Sequence, residues 1–187
     1  MTNENYNSTL KSLTKNKGGE IWYDSYKSIE DIITITNCST ILELGFNRGA
    51  SALMWLETSN STLHSMDQRG ENEVEKSIKY LNKSYPGRFT YTELNHKNLP
   101  NLIDDLKNNY DLIYIDGDHS KEGILRDAKN AIKLNPKYIA FDDYFHGAHG
   151  LDTKSAIKEC GLEVIKEYDT SCGHVLTKNP FKTPTND

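Results

Sequence analysis

Short apolar runs alternate with amphipathic stretches along this chain. Ile41, Leu42 and Leu44 make the first run, compact enough for a strand buried on both faces of a parallel sheet. Four more runs, at 62–67, 88–94, 110–116 and 137–141, repeat that character. The segments between them carry apolar residues at helical spacing. Ile29, Ile32, Ile33 and Ile35 mark a helix over 24–36, and Val74, Ile78 and Leu81 one over 71–84. Leu102, Ile103 and Leu106 predict a short helix over 100–109, and Ile124, Leu125, Ala128 and Ile132 a longer one over 120–134. Residues 51–57 also read as helix, and Pro86-Gly87 as a turn. Beyond the fifth strand, 144–152 reads as a loop leading to a helix over 153–160. Two last strands are expected at 162–168 and 173–177. The turn between them is far too short for a parallel crossover, which needs about a dozen residues, so this pair is antiparallel. The pattern predicts a doubly wound, Rossmann-like α/β fold with a seven-stranded sheet, mostly parallel with an antiparallel C-terminal hairpin.

The first strand runs into Glu43-Leu44-Gly45-Phe46-Asn47-Arg48-Gly49, and a helix starts at Ala50-Ser51. A strand, a glycine turn and a helix N-terminus form a nucleotide-binding corner, because backbone N–H groups point at whatever is bound there. The spacing Gly-x-x-x-Gly matches neither the dinucleotide fingerprint nor the phosphate-binding P-loop. Asn47, in the middle of the turn, tolerates left-handed geometry better than most residues. Glu43 would repel a pyrophosphate and would suit a cationic ligand. Other strands also end in acids: Asp67, Asp116, and the pair Asp142-Asp143. In a doubly wound sheet these ends share the edge where ligands bind. Carboxylates crowded there repel one another unless cations are present. A positively charged small molecule and a metal ion would both satisfy them.

Composition narrows the function classes. The net charge is −5, and only four of the 22 basic residues are arginine, which argues against a nucleic-acid partner. No apolar run approaches a membrane span and nothing near Met1 resembles a signal peptide, so a cytoplasmic location is expected and no membrane partner. Cys38, Cys160 and Cys172 have unrelated spacings that suit neither a zinc site nor a disulfide framework.

The glycine turn, the run Ile115-Asp116-Gly117-Asp118-His119 and the later Phe141-Asp142-Asp143 resemble those of class I S-adenosylmethionine-dependent methyltransferases. Within that class the chain is similar to the metal-dependent O-methyltransferases of the catechol and macrocin types. The resemblance covers a methyltransferase domain over 38–178; the residues themselves suggest an N-terminal helical segment or cover over 1–37 and, with two prolines, a flexible tail over 179–187. It implies that Gly45, Asn47, Gly49 and the nearby backbone hold the methionine moiety of the cofactor, with Ser51 near its carboxylate and Glu43 shaping the site. Asp67, with Gln68 beside it, would serve the ribose, and Asn95 and His96 the adenine. Asp116, also next to the cofactor, would join Asp142 and Asp143 in binding Mg²⁺ or a similar divalent cation. His119 matches the general base of the sugar-directed branch. The implied substrate is a small-molecule hydroxyl on a sugar, a polyol or a catechol-like ring.

Plainer roles compete for several of these residues. Asp118 and Ser120 are good helix N-caps, and one of them is expected to start the helix over 120–134. His119 could face solvent and Asp142-Asp143 could be a turn. His146 and His149 fall in the expected loop as surface residues, substrate contacts or an additional ligand pair, with the first expected. One rival function is a cofactor-binding protein of the same fold without methyl transfer, such as a lyase or a degenerate partner subunit. Another is a nucleic-acid methyltransferase, disfavoured by the acidic charge. A homodimer is compatible with the sequence.

Overall fold

The computed structural model describes residues 19–68, 72–170 and 173–182. The expectations for residues 1–18, for Cys172 and for 183–187 lie outside these. Among the described residues the order is α1 (Gly19–Thr36), β1 (Thr40–Leu44), α2 (Ala50–Thr58), β2 (Thr62–Asp67), α3 (Asn72–Ser84) and β3 (Phe89–Glu93). A 3-10 segment (His96–Leu102) and the single turn α4 (Ile103–Leu106) follow, then β4 (Leu112–Ile115) and α5 (Lys121–Lys133). The chain continues with β5 (Tyr138–Phe141), α6 (Gly147–Glu159), β6 (Glu163–Tyr168) and β7 (His174–Lys178).

The strands form one seven-stranded sheet in the order β3-β2-β1-β4-β5-β7-β6. The first five are parallel, and β7 runs antiparallel to both β5 and β6. Alternate residues of each inner strand feed two cores. Ile41, Leu63, Leu112 and Tyr114 pack against α1, α2 and α3 on one face. Leu42, Leu44, Ile113, Ile115 and Phe141 pack against α5 and α6 on the other. Burial on both faces explains why these strands read as continuous apolar runs. The strand order reverses between β1 and β4, and the crevice at that switch point is where doubly wound sheets bind ligands.

Three expectations need correction. The helix over 100–109 is a 3-10 segment followed by one α-helical turn. Pro100 lacks the N–H for an α-helical bond, while Asn95 caps the segment by accepting from the Lys97 N–H at 3.0 Å. The expected loop over 144–152 is mostly helix, because α6 already begins at Gly147. Its glycine at 150 serves packing: a Cβ there would lie 2.5 Å from the Tyr144 carbonyl oxygen. Ile35 points outward and is 38% exposed, whereas Ile29 and Ile32 are fully buried.

Candidate functional site

The corner is built by continuing the sheet ladder past the strand ends. Gly45 N–H donates to the Met66 carbonyl at 2.9 Å, Asp116 N–H to Leu44 at 2.8 Å, and Asp142 N–H to Ile115 at 3.1 Å. Gly45 has φ +106°, and a Cβ there would lie 1.9 Å from the Asp116 carbonyl oxygen, so only glycine lets β1 pass so close to β4. Asn47 is left-handed at φ 46°, as its tolerance of that region allows. Gly49, also left-handed, starts α2 with no side-chain cap.

Asp67 fixes the turn. Its Oδ2 accepts from the backbone N–H of Phe46 at 2.8 Å and of Asn47 at 2.7 Å. Glu43 is fully buried beneath the turn, where it accepts hydrogen bonds from Ser51 at 2.6 Å and Ser65 at 2.5 Å. It therefore ties α2 to β1 and β2 and does not face a ligand, contrary to the idea that its charge meets one. Burial pushes its pKa up to about 7, against the pull of the two serine hydroxyls. Ser51 spends its hydroxyl hydrogen on Glu43, so a ligand carboxylate near it would meet the uncapped N–H groups of α2.

A cavity of about 380 Å³ opens between the ends of β2, β3 and β4, lined by Asp67, Gln68, Asn95, Gly117, Asp118 and His119. Gln68 and Asn95 meet side chain to side chain at 3.5 Å. His96 opens the 3-10 segment, and its side chain lies outside what is described. Lys97 and Arg126 also line the cavity, and sequence reasoning missed both, because neither sits in a motif. Arg126 reaches Asp118 at 3.4 Å and Asp127 at 3.0 Å. Ser120 caps α5 by accepting from the Gly123 N–H, and Asp118 accepts from the Ser120 N–H, both at 3.1 Å. The cap and the loop brace are thus separate residues.

Next to the cavity, Asp116, His119, Asp142 and Asp143 line a smaller recess. Asp143 is left-handed at φ 56°, an uncommon conformation that Asp adopts more readily than bulky residues. It stands 2.8 Å from Nδ1 of His119, while Nε2 of that ring is 3.8 Å from Asp116. The Asp143 hydrogen bond raises the His119 pKa against the opposing effect of burial. Burial pushes the Asp116 carboxyl well above its usual range, and the charges of Asp142, Glu43 and Asp143 add to the effect. Among the described residues the buried Asp142 Oδ1 has no hydrogen-bond partner, although Nε2 of His174 lies 3.3 Å away. His174, missed in the sequence because it sits in an apolar strand, is almost fully buried, and burial lowers its pKa. His146 and His149 belong to the start of α6, and His149 Nδ1 donates to the His119 carbonyl at 3.0 Å.

Repelling carboxylates with an orphaned buried oxygen form a donor set that fits a hard divalent cation. The closed geometry is not formed: among the described residues no group of three His, Cys, Asp or Glu side chains is arranged to hold a metal ion. Asp143 is instead turned to His119.

Comparison with known proteins accords with this corner. The family described as "Methyltransferase domain" matches residues 42–144, more than half of the chain, including the glycine turn and the four named residues Asp116, His119, Asp142 and Asp143 of the recess. The chain belongs to the methyltransferase-domain family. No curated protein matches it by sequence. Among solved structures, the methyltransferase domain is similar to the O-methyltransferase from Bacillus cereus in complex with SAH, with a TM-score of 0.70 at 14% identity, covering 91% of this chain and 90% of that one. It is also similar to the O-methyltransferase TomG of Streptomyces achromogenes, involved in tomaymycin synthesis and solved with SAM. There the TM-score is 0.69 at 11% identity, with 95% and 90% of the two chains covered. At these identities the likeness is one of fold. Among the described residues no helix is long and apolar enough to cross a membrane.

Proposed function

We propose that this methyltransferase transfers the methyl group of S-adenosylmethionine to a hydroxyl of a small molecule, with a divalent cation at the acidic recess. The observation that carries the reading is the Asp143–His119 pair at 2.8 Å, beside a cofactor-sized cavity at the switch point of the sheet. A carboxylate only accepts, so His119 Nδ1 carries the hydrogen and Nε2 keeps its lone pair. That nitrogen is on the Asp116 side, where it can take the proton of an acceptor hydroxyl.

Bound S-adenosylmethionine would supply the electrophilic methyl group, and a cation held by Asp116, Asp142 and Asp143 would lower the pKa of the acceptor hydroxyl. The residues of the chain do the rest. Gly45 and Gly49 let the backbone approach the methionine moiety, and the N–H groups of α2 favour its carboxylate. Asp67 has a second oxygen not used by the turn, an acceptor suited to ribose hydroxyls. Asp143 keeps His119 in one tautomer and stabilises its protonated form after the transfer. The solved relatives named with SAH and SAM support the cofactor. A sugar, a polyol or a catechol-like ring is the substrate class.

The test is methyl transfer from labelled S-adenosylmethionine to panels of these three classes, with and without a chelator. Labelled methyl ether formation that stops on chelation is expected. Transfer that is insensitive to chelator removes the cation, and cofactor binding with methylation confined to nucleic acid removes the small-molecule reading.

A further inference from the structure

The buried stripe of α3 carries one polar residue. Val74, Ile78 and Leu81 pack on the core, and Ser77, on the same helical face, is fully buried among them. A buried hydroxyl needs a partner, and this one donates to the Arg48 carbonyl in the glycine turn at 2.7 Å. The N–H of the same peptide group, that of Gly49, donates to the Phe46 carbonyl, also at 2.7 Å. A peptide group is planar, so ties at both its ends fix its rotation. The chain leaves it through Gly49, at φ +77°, and starts α2. Turn and helix are in close contact here: a Cβ at Gly49 would lie 2.7 Å from Cζ of Phe46 and 3.4 Å from Cβ of Ser77.

The turn spends several of its own donors within the protein. The Gly45 N–H goes to Met66, those of Phe46 and Asn47 go to Asp67, and that of Gly49 goes to Phe46. The first turn of α2 then supplies donors for a methionine carboxylate, because its N–H groups lack intrahelical partners and its N-cap, Gly49, has no side chain to satisfy them. Their direction follows from how the Arg48–Gly49 peptide enters the helix.

We propose that Ser77 is a positioning residue for the amino-acid half of the cofactor: by holding the Arg48 carbonyl toward α3, it aims the first turn of α2 at the methionine carboxylate. The inference rests on the S-adenosylmethionine reading given above. Removing the hydroxyl releases the hold of α3 on the carbonyl end of that peptide and leaves the adenosine half, served by Asp67, Gln68 and Asn95, in place. The loss therefore falls on ligands that carry the amino acid and spares those that do not.

Calorimetric titration with two ligands tests it. S-adenosylhomocysteine carries the amino acid, and 5′-methylthioadenosine has the same adenosine and sulfur without it. Ser77→Ala should weaken S-adenosylhomocysteine by about 3- to 10-fold, the worth of about one net hydrogen bond, and leave 5′-methylthioadenosine unchanged. Val74→Ala, one turn earlier on the same buried stripe, removes packing without touching the turn and should move neither affinity. Equal weakening of both ligands by Ser77→Ala, no weakening of either, or the same selective loss in Val74→Ala overturns the inference alone. So does wild-type protein that binds S-adenosylhomocysteine no tighter than 5′-methylthioadenosine. Wild-type protein that binds neither overturns the cofactor reading and this inference with it. If Ser77→Ala does not fold, Ser77→Cys, which fills the space with a weaker donor, is judged by the same selectivity.

Discussion

Asp67 has two separable duties, and two substitutions divide them. Its Oδ2 holds the backbone N–H of Phe46 and Asn47 at 2.8 and 2.7 Å, while its other oxygen is the proposed ribose acceptor. Hydrogen bonds to a charged group contribute about 1.5–3 kcal/mol each. Asn47 is at the surface, so water replaces much of its share, and Asp67→Ala should cost about 2–3 kcal/mol of stability in all. Asp67→Asn keeps one oxygen for the turn and puts an amide N–H₂ where the second oxygen was. Its stability should fall by only about 1 kcal/mol, the difference between a charged and a neutral acceptor. Cofactor affinity should nonetheless drop by about 10- to 100-fold, or ~1.4–2.7 kcal/mol, because two hydroxyl donors then face a donor. Urea unfolding gives the first quantity and calorimetric titration with S-adenosylhomocysteine the second. Asp67→Asn that binds S-adenosylhomocysteine like wild type would refute the ribose assignment. Asp67→Ala of undiminished stability would refute the account of the turn.

Gly45→Ala should fail to fold or lose several kcal/mol, because its Cβ would lie 1.9 Å from the Asp116 carbonyl oxygen at a φ of +106°; a soluble variant with wild-type melting would contradict that contact. Glu43 has a folded pKa of about 7 against an ordinary 4.5. The stability tied to its proton is present below pH 4.5 and lost as pH rises through about 7, about 3 kcal/mol in total. Glu43→Gln should flatten that decline in a series of urea melts, and an unchanged slope would place the titration elsewhere. In metal-free protein, Asp143→Asn should lower the His119 pKa, which the carboxylate raises; histidine NMR against pH measures it, and an unmoved midpoint would deny the pair. His119→Ala should leave S-adenosylhomocysteine binding intact and reduce turnover on a true substrate by about 10²–10⁴; an unchanged rate would remove His119 as the base.

Most of the sheet is legible in the sequence, because strands buried on both faces leave short apolar runs. Thr62–Asp67 forms the expected strand to the residue, and Thr40–Leu44 follows from Ile41, Leu42 and Leu44. Legibility fails where tertiary contact decides local form. Gly147 and Gly150 signal a loop by composition, yet Gly150 is helical, and its missing side chain lets α6 pack on Tyr144. Pro100 sits within an apolar pattern that suggests α-helix, but its missing N–H turns the segment into a tighter spiral. The site divides in the same way. Acids at strand ends are visible because the sheet order places them on one edge. The partners of those acids are not, since Asp67 on the Phe46 and Asn47 amides and Glu43 under two serines depend on distances that no spacing rule encodes. In the sequence His174 is one polar residue in an apolar strand, and only the fold sets it against Asp142. Lys97 and Arg126 reach the cavity from elements whose sequence shows ordinary surface charge.

The central claim is that the corner formed by Gly45, Asp67 and Asp116 binds S-adenosylmethionine. Calorimetric titration of the wild-type protein with S-adenosylhomocysteine, beside a parallel titration with NADH, tests it most directly. The account predicts saturable one-to-one binding of S-adenosylhomocysteine and none of NADH. Saturable NADH binding with no heat from S-adenosylhomocysteine would contradict it.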